Sequence, residues 1–138
     1  MIDLLAPDGL GVRADLTTSP PGRTIEIPAG SLLLAEREPV HVVHEERSGT
    51  IWRPSLYAAI VGKAAACALA KPERHLADVA ALLAEVDDPF ALRARCTAKD
   101  RQRLRGAATL DDHGHRAWVA LGGERRERGH AAWAILRG

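Results

Sequence analysis

Lys63 stands in the run Ile60-Val61-Gly62-Lys63-Ala64-Ala65-Ala66-Cys67-Ala68, whose other members are all apolar or glycine. Between Pro54 and Ala70 it is the only ionisable group apart from the weakly acidic Tyr57 and Cys67. An ammonium on such a segment needs an acceptor, a shifted pKa, or a route to water along its aliphatic stem. The next segment offers one acid in its central turns, Asp78, flanked by Ala77 and Val79, with His75 one helical turn before it. Antiparallel packing of two helices would bring Lys63 toward Asp78. Spacing does not fix the register, so an ion pair and a lysine that snorkels to water both stay open. His75 either contacts a phosphate or caps the start of its helix. Gly62, which costs a helix about 1 kcal/mol against alanine, fits a close approach of a neighbouring helix.

A second group with possible chemistry is basic. Arg93, Arg95, Lys99, Arg101, Arg103 and Arg105 share one stretch with a single acid, Asp100. Spread over two short helices, they form either a solvated face or a surface that tracks the phosphates of RNA or DNA. No aromatic residue interleaves with them, so base stacking has no platform inside the stretch. His41 and His44 are separated by Val42 and Val43 and point to opposite faces of a regular strand, which argues against a shared metal. His113-Gly114-His115 reads as a solvated loop. Cys67 and Cys96 lie far apart in helical patterns and read as buried, reduced thiols.

The elements that must position these groups follow from composition and punctuation. The chain has 138 residues, 46% hydrophobic and 27% charged, with three Trp, one Tyr and one Phe, which fits an ordinary globular domain. Net charge is +1, but residues 1–53 hold 5 basic and 8 acidic side chains against 14 and 10 in residues 54–138. No long apolar run and no leader-like start is present, so a cytoplasmic location and no membrane partner are expected. Residues 1–53 read as β-rich: strands over Met1–Ala6, Thr24–Ile27 and Leu32–Ala35, and a hairpin of Val40–Glu45 with Thr50–Arg53 turning at Ser48-Gly49. Ser19-Pro20-Pro21-Gly22 marks a loop. From Pro54 the period becomes helical. Helices are expected over Ser55–Ala70 with Ser55 as cap, over Glu73–Val86 packed as a hairpin on the first, and from Asp88-Pro89 through Arg95. Others are expected from Thr97 with Asp100 closing a capping box, and over Ala117–Leu121 and Glu124–Leu136. Trp52, Trp118 and Trp133 are expected to anchor the core.

The string Pro54-Ser55-Leu56 through Gly62-Lys63-Ala64-Ala65, followed by His75-Leu76-Ala77-Asp78-Val79-Ala80-Ala81-Leu82-Leu83, resembles two consecutive helices of AbiEii-type nucleotidyltransferases. These are the lysine helix and the Lys/His-x-x-Asp-Leu helix of a bacterial branch of the polymerase-β-like superfamily. Ile2-Asp3-Leu4 resembles the strand bearing the third metal-binding acid of that superfamily, and Pro7 to Pro28 resembles the segment after it. The resemblance implies an α+β fold: a short mixed or antiparallel sheet remnant in residues 1–53, then a helical bundle in residues 54–138. It implies nucleotidyl transfer from a nucleoside triphosphate to an RNA or protein acceptor, with Mg2+ as cofactor. Asp3 would be metal ligand and catalytic base, and Lys63, His75 and Asp78 would form the nucleotide-binding groups. An antitoxin protein is the implied partner.

The Gly-Ser turn and Asp-x-Asp pair of the superfamily do not precede Asp3. A two-metal site needs several oxygen ligands, so one carboxylate cannot hold it. The chain is therefore expected to be the rear part of a longer protein, inactive as it stands, through a late start assignment, decay or fragmentation. An exposed sheet edge would let two such copies pair. The alternative is a non-catalytic helical module for assembly or nucleic-acid binding through Arg93 to Arg105.

Overall fold

The computed structural model describes residues 5–9, 17–18, 22–23 and 25–138, and the chain divides into two compact units, Met1–Ala58 and Ala59–Gly138. The architecture is α+β, small two-stranded sheets followed by a helical region, and the division falls inside a helix rather than at Pro54. Met1–Leu4 of the expected first strand, and Ser19–Pro21, lie outside the described residues.

In the first unit β1 (Leu5–Pro7) pairs in parallel with β4 (Ile25–Ile27), Leu5 opposite Ile25. The short pair β2 (Thr17–Thr18) and β3 (Gly22–Arg23) is antiparallel. Leu32–Ala35, expected as a strand, lies instead in helix α1 (Gly30–Ala35). Leucine and alanine are strong helix formers without β-branching, and local propensity won here. Asp8 supplies the cap from across the chain: its Oδ1 accepts the Ser31 N–H (2.8 Å), and its carbonyl accepts from Ser31 Oγ (2.7 Å).

The hairpin also departs from expectation. β5 (Arg37–His44) and β6 (Arg47–Pro54) run antiparallel with His44 opposite Arg47, so the turn is Glu45-Glu46, and Ser48 and Gly49 sit inside β6. Glu45 takes a φ of 55° to make this tight turn, a conformation glycine adopts more readily. The longer ladder, pairing eight residues of each strand, outweighs the better turn chemistry of Ser-Gly. Trp52 is not a core anchor: it is 61% exposed, and the Arg37 guanidinium lies 5.4 Å from its ring centroid.

Helix α2 (Leu56–Ala66) starts as expected, with Ser55 Oγ accepting the Ala58 N–H (3.3 Å). It ends earlier than Ala70. The N–H groups of Ala68 and Leu69 reach back only three residues, to Ala65 and Ala66, tightening the chain before Lys71 (φ 62°) and Pro72. Helix α3 (Pro72–Leu83) packs chiefly against α6 (Arg116–Leu121) and α7 (Gly123–Arg137), not as a hairpin on α2. Helix α4 (Pro89–Arg95) is capped by Asp88, whose Oδ1 accepts the Ala91 N–H (2.9 Å). Helix α5 (Ala98–Leu104) opens on the capping box of Thr97 and Asp100, and a 3₁₀ segment (Arg105–Asp111) follows it.

The core of this second unit holds Trp118 and Trp133, both buried. Each indole N–H is satisfied: Trp118 Nε1 donates to the Leu110 carbonyl (2.9 Å) and Trp133 Nε1 to Asp111 Oδ1 (2.8 Å). Two glycines allow backbones to touch. A methyl group at Gly106 would fall inside the van der Waals shell of the Ala64 carbonyl oxygen, and one at Gly129 would stand 2.9 Å from the Trp118 ring and 3.3 Å from the Ala84 nitrogen.

Candidate functional site

Along α2, Tyr57, Ala58, Ile60, Val61, Gly62 and Ala64 are buried, while Leu56, Ala59, Lys63, Ala65 and Ala66 are half-buried. Leu56, Ala59, Lys63 and Ala66 are spaced three, four and three residues apart and form a helical stripe, so Lys63 occupies a partly open side of a largely buried helix. Its ammonium donates to Asp78 Oδ2 at 2.6 Å, with the two side chains 41% and 36% exposed. The register left open by sequence is therefore one that joins Lys63 to Asp78. At this exposure the pair retains partial access to water. That avoids most of the desolvation cost of a buried pair and leaves the ammonium reachable by another anion.

Cys67, one turn after Lys63, completes this group. Its Sγ donates to the Lys63 carbonyl (3.3 Å). Burial, reinforced by the negative charge of Asp78 and opposed by Lys63, pushes its thiol up to about 11. A thiol held so firmly protonated is a poor nucleophile at neutral pH, so Cys67 belongs to the packing and senses the ion pair. His75, one turn before Asp78 on α3, is half-buried, and its Nδ1 meets no hydrogen-bond partner among the described residues. Asp3 lies outside the described residues. Among the described residues no group of three or more His, Cys, Asp or Glu side chains is arranged to hold a metal ion. Lys63, Asp78 and His75 offer one carboxylate between them and do not by themselves fit a magnesium site.

The six basic residues differ in their surroundings. Arg93 and Arg101 line a hollow of about 560 Å³ with Phe90, Ala94, Leu136 and Gly138. Lys99 and Arg103 line another, of about 340 Å³, with Gln102, Ala65, Ala68 and Gly106. Arg103 is largely buried and pairs with buried Asp100 (3.1 Å), so its charge serves α5 itself. Arg95 and Arg105 are exposed and line neither hollow. Phe90, 69% exposed, stands outside the basic run in sequence, and nothing in its local pattern announces that it borders the same hollow as Arg93 and Arg101.

The histidines have local duties. His41 and His44 are exposed on β5 and three residues apart, so they point to opposite faces. His115 Nδ1 accepts the Ala117 N–H (3.2 Å) and caps α6. His113 is half-buried rather than solvated: its ring meets His130 edge-on (4.6 Å), its Nε2 lies 3.3 Å from Glu127, and its carbonyl accepts from Arg126 (2.9 Å). These contacts tie the loop before α6 to α7. In the first unit an apolar hollow of about 290 Å³ lies among Leu5, Ile27, Leu33, Leu34 and Trp52. No helix among the described residues is long and apolar enough to cross a membrane.

No known protein family, curated protein or solved structure matches this chain. The fold and this geometry define an α+β protein with a helical region that carries a half-open lysine–aspartate pair.

Proposed function

We propose that the chain is the rear part of an AbiEii-like nucleotidyltransferase, in which Lys63 meets the phosphates of a nucleoside triphosphate and Asp78 holds the ammonium in place when no nucleotide is bound. The observation that carries this is the 2.6 Å Lys63–Asp78 contact on a partly open side of a largely buried helix. An arriving phosphate would compete with a single carboxylate for an ammonium that carries three donors, so Lys63 can keep Asp78 while binding a second acceptor. His75, with a ring nitrogen unpartnered among the described residues, would add a donor one turn along α3. Transfer to an RNA or protein acceptor would use Mg2+ with Asp3 among its ligands. A cytoplasmic toxin paired with an antitoxin protein is the setting that this proposal implies.

Isothermal titration of the chain with ATP and magnesium tests the proposal. Saturable binding that is lost in Lys63→Ala, and kept in a Cys67→Ala control, supports it. Absence of saturable binding, or binding indifferent to Lys63→Ala, overturns it.

A further inference from the structure

We infer that the hollow between α4, α5 and the end of α7 binds single-stranded nucleic acid, with a base stacked on Phe90 and the adjoining phosphate held by Arg93 and Arg101. It uses neither Lys63 nor Asp78, so it stands or falls separately from the nucleotide proposal.

Phe90 is the first support. Its ring is 69% exposed, whereas the other aromatic side chains of this unit, Trp118 and Trp133, are buried. Nothing in the core accounts for a phenyl group left in water at the first turn of α4. An exposed ring offers an apolar face on which any nucleobase can stack, and such stacking changes affinity by about 1–3 kcal/mol per base.

The second support is charge at the same place. Among the described residues neither Arg93 nor Arg101 makes an ion pair with a carboxylate. Instead each is anchored by one bond to a backbone carbonyl: Arg93 Nη1 donates to Ile135 (2.8 Å) and Arg101 Nη1 to Cys96 (2.7 Å). A guanidinium has five N–H donors in a planar fork, so one anchoring bond orients the group and leaves the rest for an anion. Asp88, the acid that caps α4, directs its Oδ1 to the Ala91 N–H (2.9 Å).

The third support is shape. At about 560 Å³ the hollow lies in the range of about 300–1,000 Å³ usual for ligand clefts; it is open and lined by Ala94 and Leu136 as well as the ring and the two guanidiniums. A planar apolar face beside two oriented guanidiniums matches a base joined to its phosphate. A duplex fits poorly, because its bases are already stacked on one another and present edges rather than faces.

The test is fluorescence anisotropy of the whole chain with labelled oligouridylate, oligothymidylate and a duplex of equal length, over a series of salt concentrations. The single strands should bind more tightly than the duplex, and comparison of the two strands shows whether the sugar matters. Phe90→Ala and Phe90→Leu should each weaken single-strand binding about 5- to 150-fold, while Phe90→Trp keeps it. Arg101→Gln should weaken binding and reduce the slope of log affinity against log salt by about 0.7, one phosphate contact on a single strand. Binding in Phe90→Leu or Arg101→Gln equal to that of the parent chain overturns the inference, as does a preference for duplex or no binding at low salt. Phe90→Leu keeps an apolar side chain at an exposed position, so it separates stacking from mere folding.

Discussion

Replacing Lys63 and Asp78 singly and together measures what their contact is worth, and Cys67 reports it from inside the fold. The side chains are 41% and 36% exposed at 2.6 Å, intermediate between a surface pair and a buried one. A surface pair couples by about 0–1 kcal/mol, and breaking a buried one costs about 3–5 kcal/mol. Because either partner can turn to water once the other is gone, a coupling of about 1 kcal/mol is expected from the cycle of Lys63→Ala, Asp78→Ala and the double variant. For a unit of this size that is a shift of about 4–8 °C in the thermal midpoint. The Cys67 thiol is raised first by burial and then by Asp78, and lowered by Lys63. Asp78→Asn should therefore bring its titration down, and Lys63→Met should push it further up. Ultraviolet thiolate absorbance against pH, in a Cys96→Ala background, reads this directly. The raised value also carries a stability consequence. Cys67 favours the folded state below pH 9.0, and that contribution is lost as pH rises through about 11. A coupling of 3 kcal/mol or more, or a Cys67 midpoint that moves the same way in both single variants, would refute the half-open pair.

Two further outcomes test the packing of the helical unit. Gly106→Ala places a methyl group against the Ala64 carbonyl oxygen, where backbone must give way, and should destabilise the helical unit by about 1–3 kcal/mol in urea unfolding; an unchanged midpoint contradicts the close approach. Asp111 is held below the usual carboxylate range by its hydrogen bonds from Arg137 and, to a lesser degree, Trp133. Its contribution is present above the unfolded value and lost as pH falls below about 4, so Asp111→Asn should flatten the acid side of the stability profile there. A profile as steep as that of the parent chain would show that other carboxylates govern acid unfolding.

The helical unit is the more legible part of the fold because its signals are local. Asp88 before Pro89, and Thr97 three residues before Asp100, specify caps through atoms a few bonds apart, and both form. The first unit resists sequence reading where long-range pairing decides. Ser48-Gly49 has better turn chemistry than Glu45-Glu46, yet register belongs to the whole ladder, and the ladder places the turn at the acids. Leu32–Ala35 shows the reverse, a local preference for helix secured by Asp8, more than twenty residues away in sequence. Trp52 lies in a strand exposed along its whole length, so an aromatic residue in a strand does not by itself mark a core position.

The candidate sites divide along the same line. Chemical complementarity names Asp78 as an acceptor within reach of Lys63, but the residue types alone leave a lysine that snorkels to water open as well. Contact between them depends on the tertiary placement of α3, which begins at Pro72 after Lys71 and packs chiefly against α6 and α7. The hollow at Phe90 had no such signal. Its aromatic residue precedes the basic stretch, its two arginines are eight positions apart on different helices, and its lining includes Leu136 from the far end of the chain. A charge run read along the sequence treats all six basic residues as equivalent. In the fold Arg103 turns inward to Asp100, while Arg93 and Arg101 fix their guanidiniums on carbonyls beside an exposed ring. Which cations meet an outside anion is decided by what each already touches, and that is a property of tertiary packing rather than of composition.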